Sequence, residues 1–85
     1  AGADALNALV SLMQQDPNFD VRIACTNALG SLGPSARAAL PNIDAMIRQA
    51  PYDPGINATA EQLDAQMKDG DYKRALRDAR AKIAR

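Results

Sequence analysis

Few side chains in this sequence have the chemistry for catalysis or ion binding. They are one thiol, Cys25, four carboxylates in a short stretch (Glu61, Asp64, Asp69 and Asp71), and six bases between Lys73 and Arg85. A thiol is nucleophilic only as its thiolate, and it needs a histidine or a basic cluster beside it to lower its pKa. The chain has no histidine, and Cys25 falls on the apolar stripe of a helical segment, so it reads as a small buried hydrophobe. Glu61 and Asp64 are three apart and share a helix face. Acid–base work or a hard cation would need a second acidic cluster or a histidine to complete the set, and neither follows. The carboxylates therefore read as helix caps and a hydrated face. The run Gly30-Ser31-Leu32-Gly33-Pro34-Ser35 is glycine-rich, but it lacks a Gly-Lys-Ser/Thr ending and a preceding strand. It reads as a connection between helices. No catalytic residue, cofactor or metal is expected.

The basic segment has the clearer claim to a role. Lys73, Arg77 and Arg80 fall at i, i+4 and i+7 on one helix face, and Arg74 pairs with Asp78 at i, i+4. From Lys73 to Arg85 six bases face the single Asp78. Such a face can follow a phosphate backbone. Stacking partners are scarce, however, with Tyr72 alone nearby, and bases also suit a helix C-terminus on dipole grounds. A hydrated cap, a surface for an acidic protein and, less favoured, a site for nucleic acid or anionic lipid all remain open.

The elements that position these residues are helical. Of the 85 residues, 47% are hydrophobic but only 4% aromatic, so a core must be made of Ala, Leu, Ile, Val and Met, which suits closely packed helices. No alternating β-branched run occurs. Proline and glycine divide the chain into five expected helices. The first covers residues 4–15, with Leu6, Leu9, Val10, Leu12 and Met13 on one face, and Asp16-Pro17 ends it. The second starts between Asn18 and Asp20 and ends near Leu29, with Gly30 as its C-terminal cap. The third reaches Gln49 from Pro34 or Ser35, with Pro41 either bending it or delaying its regular part by a turn. The fourth runs from Pro54 or Ile56 to Met67, capped by Asp53, with Ile56, Ala60, Leu63 and Met67 inward. Lys68-Asp69-Gly70 ends it. The fifth covers 71–84, with Tyr72, Ala75, Leu76, Ala79 and Ile83 inward. Short connections predict antiparallel neighbours.

The pattern also repeats. Ala5-Leu6, Leu9, Leu12-Met13 and Pro17 recur 34 residues later as Ala39-Leu40, Ile43, Met46-Ile47 and Pro51. A period in the thirties with two helices per unit marks a helical solenoid. The run Asp20-Val21-Arg22, Ala24, Ala28-Leu29-Gly30, Leu32-Gly33-Pro34, Ala36, Ala39-Leu40-Pro41 resembles bacterial HEAT repeats, in particular those of the phycobilisome-lyase type. The resemblance covers residues 16–49, extends to the first helix as half of a preceding repeat, and weakens from Tyr52, where Ile56-Asn57 stands in place of Val-Arg. It implies an all-α superhelix of two repeats and a half: a half repeat at 4–15, the best match at 18–49 and a divergent terminal repeat at 54–84. It also implies that Asp20 caps its helix and that Arg22 bonds to an adjacent repeat, both structural tasks. A half repeat at the front implies a preceding segment in a longer chain.

In such repeats the second helix of each unit lines the concave face. The resemblance thus nominates Asn7, Ser11 and Gln14 on the first helix, and Asn42, Asp44 and Arg48 on the third, for contact with a partner. Lys73, Arg77 and Arg80 join them from the basic segment. The expected function is a non-catalytic protein–protein interaction module or scaffold subunit. A nucleic-acid-binding solenoid and an accessory module of a larger enzyme, chromophore-lyase-like or redox, are the alternatives. A tetratricopeptide-like hairpin of the last two helices, resting on Gly70-Asp71-Tyr72, would change packing more than function. No stretch is apolar enough to span a membrane. A soluble protein is expected, with the cytoplasm slightly favoured, and the incomplete cover on its core is expected at the first helix.

Overall fold

The structure is a computed structural model and describes residues 2–85. Those residues form helices and irregular chain, with no strand. There are three helical runs, and the middle one is bent. Helix α1 (Gly2–Gln15) comes first. Helix α2 (Phe19–Leu32), a 3-10 turn (Gly33–Ala39) and helix α3 (Leu40–Arg48) make up the middle run, and helix α4 (Ala60–Ile83) closes the fold.

The helix boundaries follow from local chemistry. The Asn18 side chain accepts the Asp20 N–H at 2.8 Å and caps α2. Asn18, not Asp20, is therefore the cap, and Asp20 sits in the first turn, where its carboxylate meets Lys68 of α4 at 3.2 Å. α2 continues past Gly30 to Leu32, because the residue with positive φ is Gly33 (φ 59°). Pro41 lies in the first turn of α3, where a missing N–H costs nothing. Of the two outcomes expected for that proline, the later start is the one found.

The expected fourth and fifth helices are one. α4 passes through Gly70 without a break, and it begins at Ala60 rather than near Pro54. A helical glycine costs about 1 kcal/mol relative to alanine. Ending the helix there would cost a fresh nucleation and break the buried i, i+4 pair Asp69–Lys73 that spans the glycine. The start is set by a capping box: Thr59 Oγ1 accepts the Gln62 N–H at 3.1 Å and Gln62 Oε1 accepts the Thr59 N–H at 2.9 Å. Asp53, expected as the cap, instead accepts the Gly55 N–H within the preceding irregular stretch.

The helices adjoin in the cycle α1, α2, α4, α3 and back to α1. α2 and α4 lie side by side and run the same way: Lys68 meets Asp20, Ala79 lies against Gly30, and the Lys82 carbonyl lies beside Gly33. α1 folds back on α2 across the turn at 16–18, and α3 folds back on α4, where Arg80 meets Asp44. α1 and α3 also touch, whereas α2 and α3 share no close backbone approach and neither do α1 and α4. The expectation of antiparallel neighbours thus holds for α1 with α2 and α3 with α4, and fails for the consecutive pair α2 and α3, which occupy a diagonal. Met13, Leu29, Ala36, Ala39, Ile43, Tyr72, Leu76, Ala79 and Ile83 fill the centre. The fit of α4 on α2 depends on Gly30, since a Cβ there would lie 3.1 Å from the Ala79 Cα.

Candidate functional site

Leu63 and Tyr72 are nine residues apart in one continuous helix, about two and a half turns, so they point in opposite directions. The core claims the Tyr72 side, with Leu76, Ala79 and Ile83 buried alongside it. The stripe expected to pack the fourth helix is therefore turned outward. On α4 Met67 is 71% exposed and Leu63 49%, and Ile56, in the turn before the helix, is 100% exposed. Each would gain roughly 1–2 kcal/mol if a partner covered it. Exposed apolar groups of this size gathered on one segment mark a contact surface more often than a scattered residue does. At α1, where incomplete cover was expected, Leu12 is the one large apolar side chain that is exposed among the described residues, at 42%.

This outward stripe sits on a projection. By Asp69 the other helices have ended, since Met13 and Phe19 both lie at Tyr72 and the Tyr52 N–H donates to Asp69 Oδ2 at 3.1 Å. Residues 60–67 of α4 extend past them by about 12 Å at the helical rise. Asp69 also meets Lys73 Nζ at 3.5 Å, with both side chains nine-tenths buried, and that ammonium lies 5.7 Å from the centre of the Tyr72 ring. The base of the projection is thus tied to the preceding chain by the Tyr52 N–H donated to the Asp69 carboxylate, while the buried Asp69–Lys73 pair is internal to α4.

Behind it stands a polar junction that ties three helices. The Tyr72 hydroxyl donates to the Met13 carbonyl oxygen at 2.7 Å, filling one of the acceptors left open at the end of α1. Arg22 Nε donates to the Asp16 carbonyl oxygen at 2.6 Å, and its guanidinium lies 5.6 Å from the centres of both the Phe19 and Tyr72 rings. Burial raises the Tyr72 phenol above its usual pKa and the Asp69 charge adds to this, while Arg22 opposes. Burial, and after it the Asp16 carboxylate, likewise raises the Cys25 thiol. The hydrogen bond to Asp20, with Asp64 contributing, keeps Lys68 protonated above the ordinary lysine range.

The nominated residues are dispersed. Asn7 and Ser11 are exposed on α1 and Gln14 is half-buried. Asn42 and Asp44 are half-buried on α3, and Arg48 is exposed. Asp44 is occupied by Arg80 Nε at 2.6 Å. Lys73 is interior, so the face shared by Lys73, Arg77 and Arg80 is not an open basic track; Arg77 alone of the three is both exposed and without an ion pair among the described residues. Arg74 pairs with Asp71 rather than Asp78, which takes Lys82 at 3.0 Å. The outward stripe was missed as a surface because the break at Gly70 assigned it to a helix of its own. The spacing of Ala60, Leu63, Met67 and Gly70 (three, four, three) would have revealed it on an unbroken helix.

Among the described residues no cavity is enclosed, and no three His, Cys, Asp or Glu side chains gather as metal ligands. No helix is long and apolar enough to cross a membrane. Comparison of the chain with protein-family profiles, with curated proteins and with solved structures finds no match.

Proposed function

We propose that this chain is a non-catalytic protein–protein interaction module, a scaffold piece of a larger assembly built as a short HEAT-like helical solenoid. The observation that carries the reading is the pair of apolar side chains, Leu63 and Met67, turned outward on α4, with Ile56 fully exposed in the turn that precedes the helix. Side chains presented by an already formed helix leave less backbone to order when a partner binds than an unstructured segment would. The solenoid part is supported by the pairing of elements. α1 and α3, which carry the 34-residue sequence repeat, are neighbours running the same way, and so are α2 and α4. Stacked two-helix units have this relation. The long connection at 49–59 and the lengthened α4 fit a divergent last unit.

The test is capture of partners from an extract of the source cells by the tagged chain, with and without nuclease, beside the double variant Leu63→Asp, Met67→Asp. Both positions are solvent-exposed, so the variant should keep its helical circular dichroism. A protein retained after nuclease and lost with the double variant is the expected result. Loss of all capture on nuclease treatment would overturn the reading in favour of nucleic acid, with Arg37, Arg77 and Arg85 as the bases to substitute.

A further inference from the structure

We infer that the chain pairs end to end with a second copy of itself, the projecting acidic end of α4 docking on the basic opposite end of the next molecule. This rests on the scaffold reading only in taking the outward stripe for an interface. The zero net charge of the sequence conceals a separation along the long axis, which measures 45 Å. One end gathers the start of α1, the 3-10 turn, the first half of α3 and the end of α4. There, five bases (Arg37, Arg77, Arg80, Lys82 and Arg85) face Asp4, Asp44 and Asp78. The remaining seven acids and five bases belong to the other end, so the two ends carry formal charges of +2 and −2.

Among the described residues the acidic end leaves Asp16, Asp53 and Glu61 without an ion pair against Arg22 and Arg48, and the basic end leaves Arg37, Arg77 and Arg85 against Asp4. The projecting stretch 53–67 itself carries Asp53, Glu61 and Asp64 and no base. Each end also offers apolar surface: Ile56, Leu63 and Met67 on one, and Leu32, 46% exposed, on the other. Oppositely charged ends that both carry uncovered apolar groups are complementary to each other. A two-fold pairing of the projections would instead set Asp53, Glu61 and Asp64 against their own copies, which like-charge repulsion disfavours. A head-to-tail contact leaves each molecule with one free acidic and one free basic end, so it extends into a string.

The experiment is light scattering on the eluting protein from about 10 µM to about 1 mM, at low salt and at about 0.5 M salt, where exposed charges are screened. The weight-average mass is expected to rise about twofold or more across the range at low salt and to return to the monomer value at high salt. Glu61→Lys and Arg37→Glu, both at exposed positions without an ion pair, should each abolish the rise. An equimolar mixture of the two variants should restore it, since each then meets a complementary end. A monomer at every concentration overturns the inference; if that monomer still captures a protein through Leu63 and Met67, the scaffold reading survives. Growth that the mixture fails to restore overturns the head-to-tail arrangement.

Discussion

The Tyr72 side chain ties α4 to both α1 and α2. Its ring contacts Phe19 and Arg22, and its hydroxyl fills the Met13 carbonyl at the end of α1, although the backbones of α1 and α4 never approach. Replacing it with phenylalanine keeps the ring and leaves that carbonyl without its donor. Tyr72→Phe is expected to cost about 1–2 kcal/mol in urea unfolding at neutral pH. The pH dependence has a definite sign. The folded phenol has a raised pKa, so its contribution is complete below about 10, the unfolded tyrosine value, and is lost as the pH climbs above it. The wild-type chain should therefore lose stability in alkali more steeply than Tyr72→Phe. Parallel alkaline curves would show that the phenol is not the group responsible.

At the scale of the element, the two glycines inside helices give opposite expectations from the same substitution. Gly70 is exposed within α4, and a Cβ there meets nothing within 4 Å. Gly70→Ala should stabilise the chain by about 0.5–1 kcal/mol through helix propensity and a less mobile unfolded state. Gly30 is buried, and its Cβ would press on the Ala79 backbone, which cannot rotate away. Gly30→Ala gains the same propensity but must part α2 from α4, and a net loss of roughly 1–2 kcal/mol is expected. Thermal unfolding of the two variants checks both signs. A stabilised Gly30→Ala would mean that the α2–α4 contact relaxes at no cost, and a destabilised Gly70→Ala would mean that the glycine marks a real interruption in α4.

Over the whole molecule, stability should be unevenly distributed. The radius of gyration is 13.4 Å, against about 12 Å for a compact chain of this length, and the projection contributes to the difference. Residues 60–67 have the capping box and their own helical hydrogen bonds, but no core behind them. Residues 72–83 have the core. Amide hydrogen exchange in dilute solution should find the first segment about a hundredfold less protected than the second, although they belong to one helix. Equal protection would mean that α4 opens only as a unit and that the projection is as firmly held as the body. Raising the protein concentration should slow exchange in 60–67 first if the ends of two molecules meet there.

What the sequence determined by itself was the local part. Its composition and the spacing of its apolar residues fixed an all-helical chain, the end of α1 at Gln15 and the start of α2 near Asn18, and narrowed Pro41 to a bend or a late start of α3, because caps, prolines and helical periodicity act over a few residues. The inward set Tyr72, Leu76, Ala79 and Ile83 was legible for the same reason, and so was the burial of Cys25. The tertiary structure decided whether a marginal signal counted as a break. Gly70 looks like punctuation and Thr59-Ala60-Glu61-Gln62 looks like a start, and the choice between them turns on packing against α2 and α3, worth more than the glycine costs. That choice also assigned the faces. A continuous α4 can offer only one side to the core, so Leu63 and Met67 went to solvent, and Lys73, read as part of a basic surface, went inward to Asp69. The pairing of α2 with α4 and the separation of charge along the axis depend on residues as far apart as Asp20 and Lys68. No local pattern encodes them.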